Sequence, residues 1–164
     1  MTRHVDVVPY DEAWPQRFAE EAERIREALG GAALAVEHVG STSVPGLSAK
    51  PIVDVAVAVE RFDLLDVGAL EGLGYRYVPE HEDELPDRRH FSKAGFHVHV
   101  YERDHPQFLD YLRFRDRLRS DPEARREYDA LKLRLAAEHA GDRERYQDEK
   151  KPFVEGLLAK IVGI

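Results

Sequence analysis

The stretch Val36–Val59, VEHVGSTSVPGLSAKPIVDVAVAV, decides how this chain is read. Two apolar runs fit for buried strands flank a connector of Gly, Ser, Thr, Pro and Lys. The pattern predicts strands over Ala33–Val39 and Pro51–Val59. The second is so uniformly apolar that both of its faces must be covered, which makes it a central strand. The connector fails as a Walker-type phosphate loop, because Lys50 stands four residues beyond Gly46 and a strand rather than a helix follows. It can still offer the hydroxyls of Ser41, Thr42 and Ser43, with backbone N–H groups freed at Gly40 and Gly46, to phosphate oxygens. The plain alternative is a strand connection punctuated by turn formers.

Asp54 interrupts the second strand with a carboxylate. An unpaired buried carboxylate costs several kcal/mol, so this one is expected to face a cleft, a cation or a metal. A salt bridge to Lys50 or to an arginine is the competing account.

Outward from this centre, Asp11 is placed to cap a helix carrying Trp14, Phe18, Ile25 and Leu29 on one face, and Gly30-Gly31 ends it. Phe62–Leu73 reads as a short helix, Tyr75–Val78 as a strand and PEHEDELPDRR as a polar loop. Arg89–Lys93 and Phe96–Glu102 read as a hairpin about Ala94-Gly95. Pro106 and Pro122 suit first turns of helices, with Asp121 as a cap, and the chain is then helical to Ile164. Stripes at Tyr128, Leu131 and Leu135, and at Tyr146, Phe153 and Leu157, supply the buried faces. Helix, strands and then helices make an α+β domain, taken as one unit over residues 1–164.

Composition bounds the function. The 164 residues are 43% apolar, contain no cysteine and carry a formal charge of −8. Disulfides, thiolate metal sites and a cysteine nucleophile are excluded. The acidic balance argues against a broad surface for duplex nucleic acid, whose affinity comes largely from phosphate neutralisation. No apolar run is long enough to span a bilayer, so a soluble cytoplasmic protein is expected. Ser41 and Ser48 lack a nucleophile-elbow context.

The segments HVGSTSVPGLSAKPIVDV, FRDRLRSDP, EYDALKLRLA and YQDEKKPFV resemble the GrpB family, and the resemblance covers nearly the whole chain. It implies a nucleotidyltransferase-like fold: a mixed sheet with an N-terminal helix and a helical C-terminal half. Domains similar to it also occur fused behind dephospho-coenzyme A kinases. In the wider superfamily a Gly-Ser turn precedes a strand with two alternate acids, and a third acid stands on a neighbouring strand. Those acids hold two divalent ions that clamp a triphosphate. Gly40 and Ser41 match the turn and Asp54 the first acid, but the second position falls on Ala56, which cannot bind metal.

In FHVHVY, His97, His99 and Tyr101 share one face of a strand. If that strand neighbours Asp54, as the superfamily resemblance implies for the third acid, then Asp54, His97 and His99 form a two-histidine, one-carboxylate set. Such a set favours Zn, Mn, Fe or Ni over Mg, and at most one ion per chain is expected, Mn or Zn before Mg. Hydrogen-bonded cleft histidines without metal are the alternative. A His-x-His strand also suits cupins, but a jelly roll needs more strands than the helical second half leaves.

Arg113, Arg115, Lys132 and Lys150 lie in the family-like helical segments. Arg113 and Arg115 are about 200° apart on a helix, so only one can face a cleft squarely. Arg115, Lys132 and Lys150 are read as phosphate-binding residues opposite the Gly-Ser loop, the alternative being a solvated, salt-bridged helix face. His38, Arg88 and Arg89 are weaker candidates for the rim. The sequence thus points to a protein that binds a nucleotide or other phosphorylated ligand with one divalent metal, with Asp54 and His99 as catalytic candidates. A non-catalytic module that keeps the fold is the second reading.

Overall fold

The computed structural model describes residues 6–161, so the end of the predicted C-terminal helical run, Val162 to Ile164, lies outside the described residues. Helix α1 spans Trp14–Leu29 and buries Trp14, Ala22, Ile25 and Leu29. Asp11 closes the turn before it, accepting from the Ala13 N–H at 2.8 Å, while Ala13 itself takes the N-cap position. Gly30 ends the helix at φ 58°, a left-handed conformation suited to glycine.

Strands β1 (Ala35–Val39) and β2 (Val53–Val59) flank the connector, each starting two residues later than the apolar runs suggest. The predicted helix over Phe62–Leu73 is divided. A 3-10 turn at Phe62–Leu64 comes first, and Asp66 then caps a new start by accepting from the Ala69 N–H, giving α2 at Val67–Gly72. Strand β3 is short, Arg76–Tyr77, and the polar loop after it carries a 3-10 turn at Pro79–Glu82. The hairpin β4 (Arg89–Lys93) and β5 (Phe96–Glu102) turns at Gly95, φ 83°.

These strands form one mixed sheet in the order β1-β2-β5-β4-β3. Only β2 and β5 pair in parallel, with Asp54 opposite His97 and Ala56 opposite His99. Val53, Val55, Val57, Val59, Val98 and Val100 pack with Phe91 under α1 and α2 in the principal core. Each such side chain, buried in full, stabilises by ~1.5–3 kcal/mol. The uniformly apolar β2 is central because its other face is covered too: Ala56 and Ala58 pack against Tyr101 and Phe108.

Three helices complete the chain: α3 (Pro106–Ser120), α4 (Pro122–Glu138) and α5 (Arg143–Ile161). Pro106 and Pro122 each occupy a first turn, and Asp121 caps α4 by accepting from Ala124 N–H at 3.1 Å. Val44 and Leu47 of the connector are fully buried against Leu118, Tyr128 and Leu157, which ties the loop to all three helices. The cleft lies between this helical half and the polar end of the sheet.

Candidate functional site

A cavity of about 1090 Å³ opens over Asp54. The Asp54 side chain remains 29% exposed, and its Oδ1 lies 3.1 Å from His99 Nε2 and 3.8 Å from His97 Nδ1. Among the described residues no lysine or arginine approaches this carboxylate within ion-pair distance, so the salt-bridge account gives way to the imidazoles. Burial pushes the Asp54 carboxyl up, but the hydrogen bond and charge of His99, with the charges of His97 and Lys150, outweigh it and hold the group below its ordinary value. Gly40 makes room for this centre. Its φ is 73°, and a Cβ there would stand 2.6 Å from Asp54 Oδ2, so the Gly-Ser turn lies directly against the acid.

Strand register extends the imidazole set. His90 on β4 faces His99 on β5, and their Nδ1 atoms are 3.3 Å apart. His81, from the polar loop, brings its ring centroid to 4.8 Å from that of His90. Burial, followed by the neighbouring charges of His99 and Arg88, lowers His90 to about 3, so its ring is neutral near pH 7. Burial likewise lowers His97, against the opposing pull of Asp54.

The helical half contributes cations. Lys132 is 2% exposed, and its Nζ donates to the Ser48 carbonyl at 2.6 Å, while Asp129 one turn earlier accepts from the Ser48 N–H at 2.7 Å. Together they clamp one connector residue at both ends of its backbone. Lys50 and Lys150 both approach the ring of Tyr146, at 4.9 and 5.1 Å from its centroid. Burial lowers Lys132 to about 7, with Lys150 and Lys50 adding repulsion. Burial also lowers Lys50 and Lys150 to about 8 each, Arg143 adding repulsion in both cases.

Of the sequence candidates, Gly40, Ser41, Thr42, Lys50, Asp54, His97, His99, Lys132 and Lys150 border this one cavity. Thr42 is nevertheless buried, its hydroxyl 2.9 Å from His38 Nε2. Ser43 does not border the cavity: its hydroxyl turns back to the Gly40 carbonyl within the loop. Arg115 is also elsewhere, donating to Glu37 at 2.8 Å and to the His38 carbonyl at 3.1 Å. A phosphate role for Arg115 is therefore corrected to a tie between α3 and β1. Arg113 pairs with Asp110 at 3.6 Å. Sequence reading passed over His81, His90 and Arg143 and ranked Arg88 low, although all four border the cleft.

Asp54 Oδ1, His97 and His99 place their ligand atoms within 4.8 Å of one another, as one ion requires. Glu138, His139 and Glu149, at the α4–α5 corner, are a comparable group at the surface. Where a second acid would stand, Ala56 is fully buried against the α3 side of the sheet.

The fold and cleft define an α+β protein with a strand-borne carboxylate and imidazole centre beneath a Gly-Ser turn and a cationic helical wall. Residues 4–160 match the family described as GrpB protein, and the chain belongs to that family. It is 35% identical to the UPF0157 protein YqkA of Bacillus subtilis (strain 168) over 157 residues, covering 93% of this chain and 46% of that protein. It thus spans about half the length of that relative. A protein named dephospho-CoA kinase from Mycolicibacterium paratuberculosis is 31% identical over 180 residues, which cover 91% of this chain and 44% of the kinase. The crystal structure of conserved protein GrpB from Enterococcus faecalis superposes with a TM-score of 0.84 at 37% identity, covering 94% of this chain and 98% of that one.

Proposed function

We propose that the cleft binds a nucleotide or another phosphorylated small molecule over a single divalent ion, with Asp54, His97 and His99 as the ion's ligands. One observation carries this reading. Seven cations border the cavity; Arg76 and Lys151 pair with Glu80 and Glu155, but among the described residues the other five, Lys50, Arg88, Lys132, Arg143 and Lys150, have no carboxylate within 4.0 Å. The chain has 32 acidic residues to 24 basic ones, so a shortage of acids does not explain the gap. Arginines elsewhere mostly find acids, such as Arg103 with Glu60 at 3.0 Å and Arg117 with Asp121 at 3.1 Å. Cations left half-buried and mutually repelling are costly in the free protein, and a polyanion relieves that cost on binding.

The kinship with proteins named dephospho-CoA kinases supports a phosphorylated ligand, as does the nucleotidyltransferase-like placement of the Gly-Ser turn before Asp54. A bound ion would supply Lewis-acid polarisation of a phosphoryl oxygen. The chain's own part is to hold that oxygen by the Ser41 turn and the lysines, and to exclude water with the wall of Tyr128, Tyr146 and Phe114. The buried Ala56 favours one ion over two, since one carboxylate with two neutral imidazoles brings a single negative charge. Ala56 also sustains the second reading, a binding module without transferase activity.

A thermal-shift panel of nucleotides, sugar phosphates and coenzyme A precursors, each with Mn and with Zn, tests the proposal. A ligand at a hundred times its Kd stabilises by about 2.7 kcal/mol. That is roughly 5–10 °C for a domain of this size. No shift with any member of the panel contradicts it.

A further inference from the structure

We propose that Arg88 forms a second anion subsite, on the far edge of His99 from Asp54, which receives a carboxylate or phosphate group of a second reactant. This rests on the function proposed above and specifies the acceptor as an anionic molecule. Arg88 carries five N–H donors in a fixed fork, and such groups ordinarily bind oxyanions at about 2.7–2.9 Å. Here, among the described residues, the guanidinium meets no carboxylate: its NH groups lie at long range, 3.3 Å from His99 Nδ1 and 3.4 Å from His81 Nδ1, with the Tyr101 and Tyr111 hydroxyls nearby. These neighbours are imidazole nitrogens and phenol hydroxyls rather than carboxylates.

Even these contacts are shared. His90 Nδ1 also lies 3.3 Å from His99 Nδ1, so a single lone pair serves two neighbours. In the other tautomer His99 Nδ1 carries a proton and offers Arg88 nothing. The Arg88 Nε is buried and has no hydrogen-bond partner. A desolvated charge with unfilled donors at the wall of an open cavity is the chemistry of an oxyanion site.

Its position separates it from the lysine group. Asp54 meets the Nε2 edge of His99, and Arg88 meets the Nδ1 edge. Lys132 instead donates to the Ser48 carbonyl, and Lys50 and Lys150 stand over the Tyr146 ring, so none of the three shares the contacts of Arg88. Two anionic groups can therefore straddle the centre: one against the Gly-Ser turn and lysines, the other against Arg88, with His81 flanking it. A donor phosphate and the anionic tail of an acceptor fit that division.

Calorimetric titration with inorganic phosphate, on wild type, Arg88→Gln and Lys150→Gln, is the test. Two phosphates per chain are expected for wild type. Arg88→Gln should lose one of them or weaken it at least tenfold, and Lys150→Gln should weaken the other. Imidazole nitrogen NMR gives a readout that does not depend on Arg88→Gln folding: phosphate should still shift the His81 and His99 ring signals in Lys150→Gln. Malonate displacing the Arg88-dependent phosphate identifies a carboxylate-bearing acceptor, and failure to displace it identifies a phosphorylated one. A single phosphate that is unaffected by Arg88→Gln and lost in Lys150→Gln overturns this subsite and leaves the first proposal standing. No phosphate bound by wild type, with Mn or without it, overturns both.

Discussion

Replacing Gly40 with alanine strikes the cleft and the backbone together. The new Cβ would lie 2.6 Å from Asp54 Oδ2 and 3.2 Å from Asp54 Cβ, closer than folded proteins tolerate. Gly40 also has φ 73° and ψ −174°, a region populated almost solely by glycine. Strain of that kind costs about 1–3 kcal/mol. Displacing the carboxylate disturbs its 3.1 Å contact with His99 as well. A total near 3 kcal/mol is expected, roughly 6–12 °C in melting temperature for a domain of this size. Urea denaturation of wild type, Gly40→Ala, Asp54→Ala and the double variant separates the parts. If the carboxylate clash contributes, Gly40→Ala should cost less by ~1 kcal/mol in the Asp54→Ala background, a non-additivity expected of touching residues. Full additivity with an unchanged Gly40→Ala midpoint would refute the contact between the Gly-Ser turn and Asp54.

Asp129→Ala should leave the Ser48 N–H without its acceptor and destabilise the protein by about 1–3 kcal/mol, measured by denaturant midpoint. Arg115→Ala should cost about 1 kcal/mol through the loss of its ties to Glu37 and the His38 carbonyl, and leave phosphate affinity in calorimetry unchanged. The folded pKa values of Lys132, Lys50 and Lys150 lie below the ordinary lysine value, so the unfolded chain binds more protons between about 7 and the ordinary value of 10.5. Stability of the ligand-free protein should therefore rise with pH across that interval, and the rise should flatten in Lys132→Met. Anion affinity should run the opposite way, weakening as pH climbs past about 8, where the Lys50 and Lys150 ammoniums are lost.

Local signals made much of the fold legible. The hairpin strands match their expected bounds, and Pro106, Pro122 and Asp121 mark the helix starts. Phe62–Leu73 misled because Asp66 is a better cap than an interior helical residue, and it begins a new helix there. Period-two alternation put His97 and His99 on one face, and the hairpin register fixed by Ala94-Gly95 already sets His90 opposite His99. Arg115 was illegible for a different reason: its partner, Glu37, lies 78 residues away on β1, and no local pattern announces such a pair. Arg88 and His81 sit in a polar loop whose path over the sheet depends on tertiary packing, and Arg143 reaches the cleft only because α5 folds back beside α3 and α4.

Calorimetric titration of the purified protein with pyrophosphate, with and without Mn, bears most directly on a phosphorylated ligand held over one ion. The account predicts one Mn per chain and pyrophosphate affinity raised at least tenfold by it, with both effects lost in Asp54→Ala and in His99→Ala. Pyrophosphate that does not bind, Mn binding indifferent to both substitutions, or two strong Mg sites per chain would contradict it.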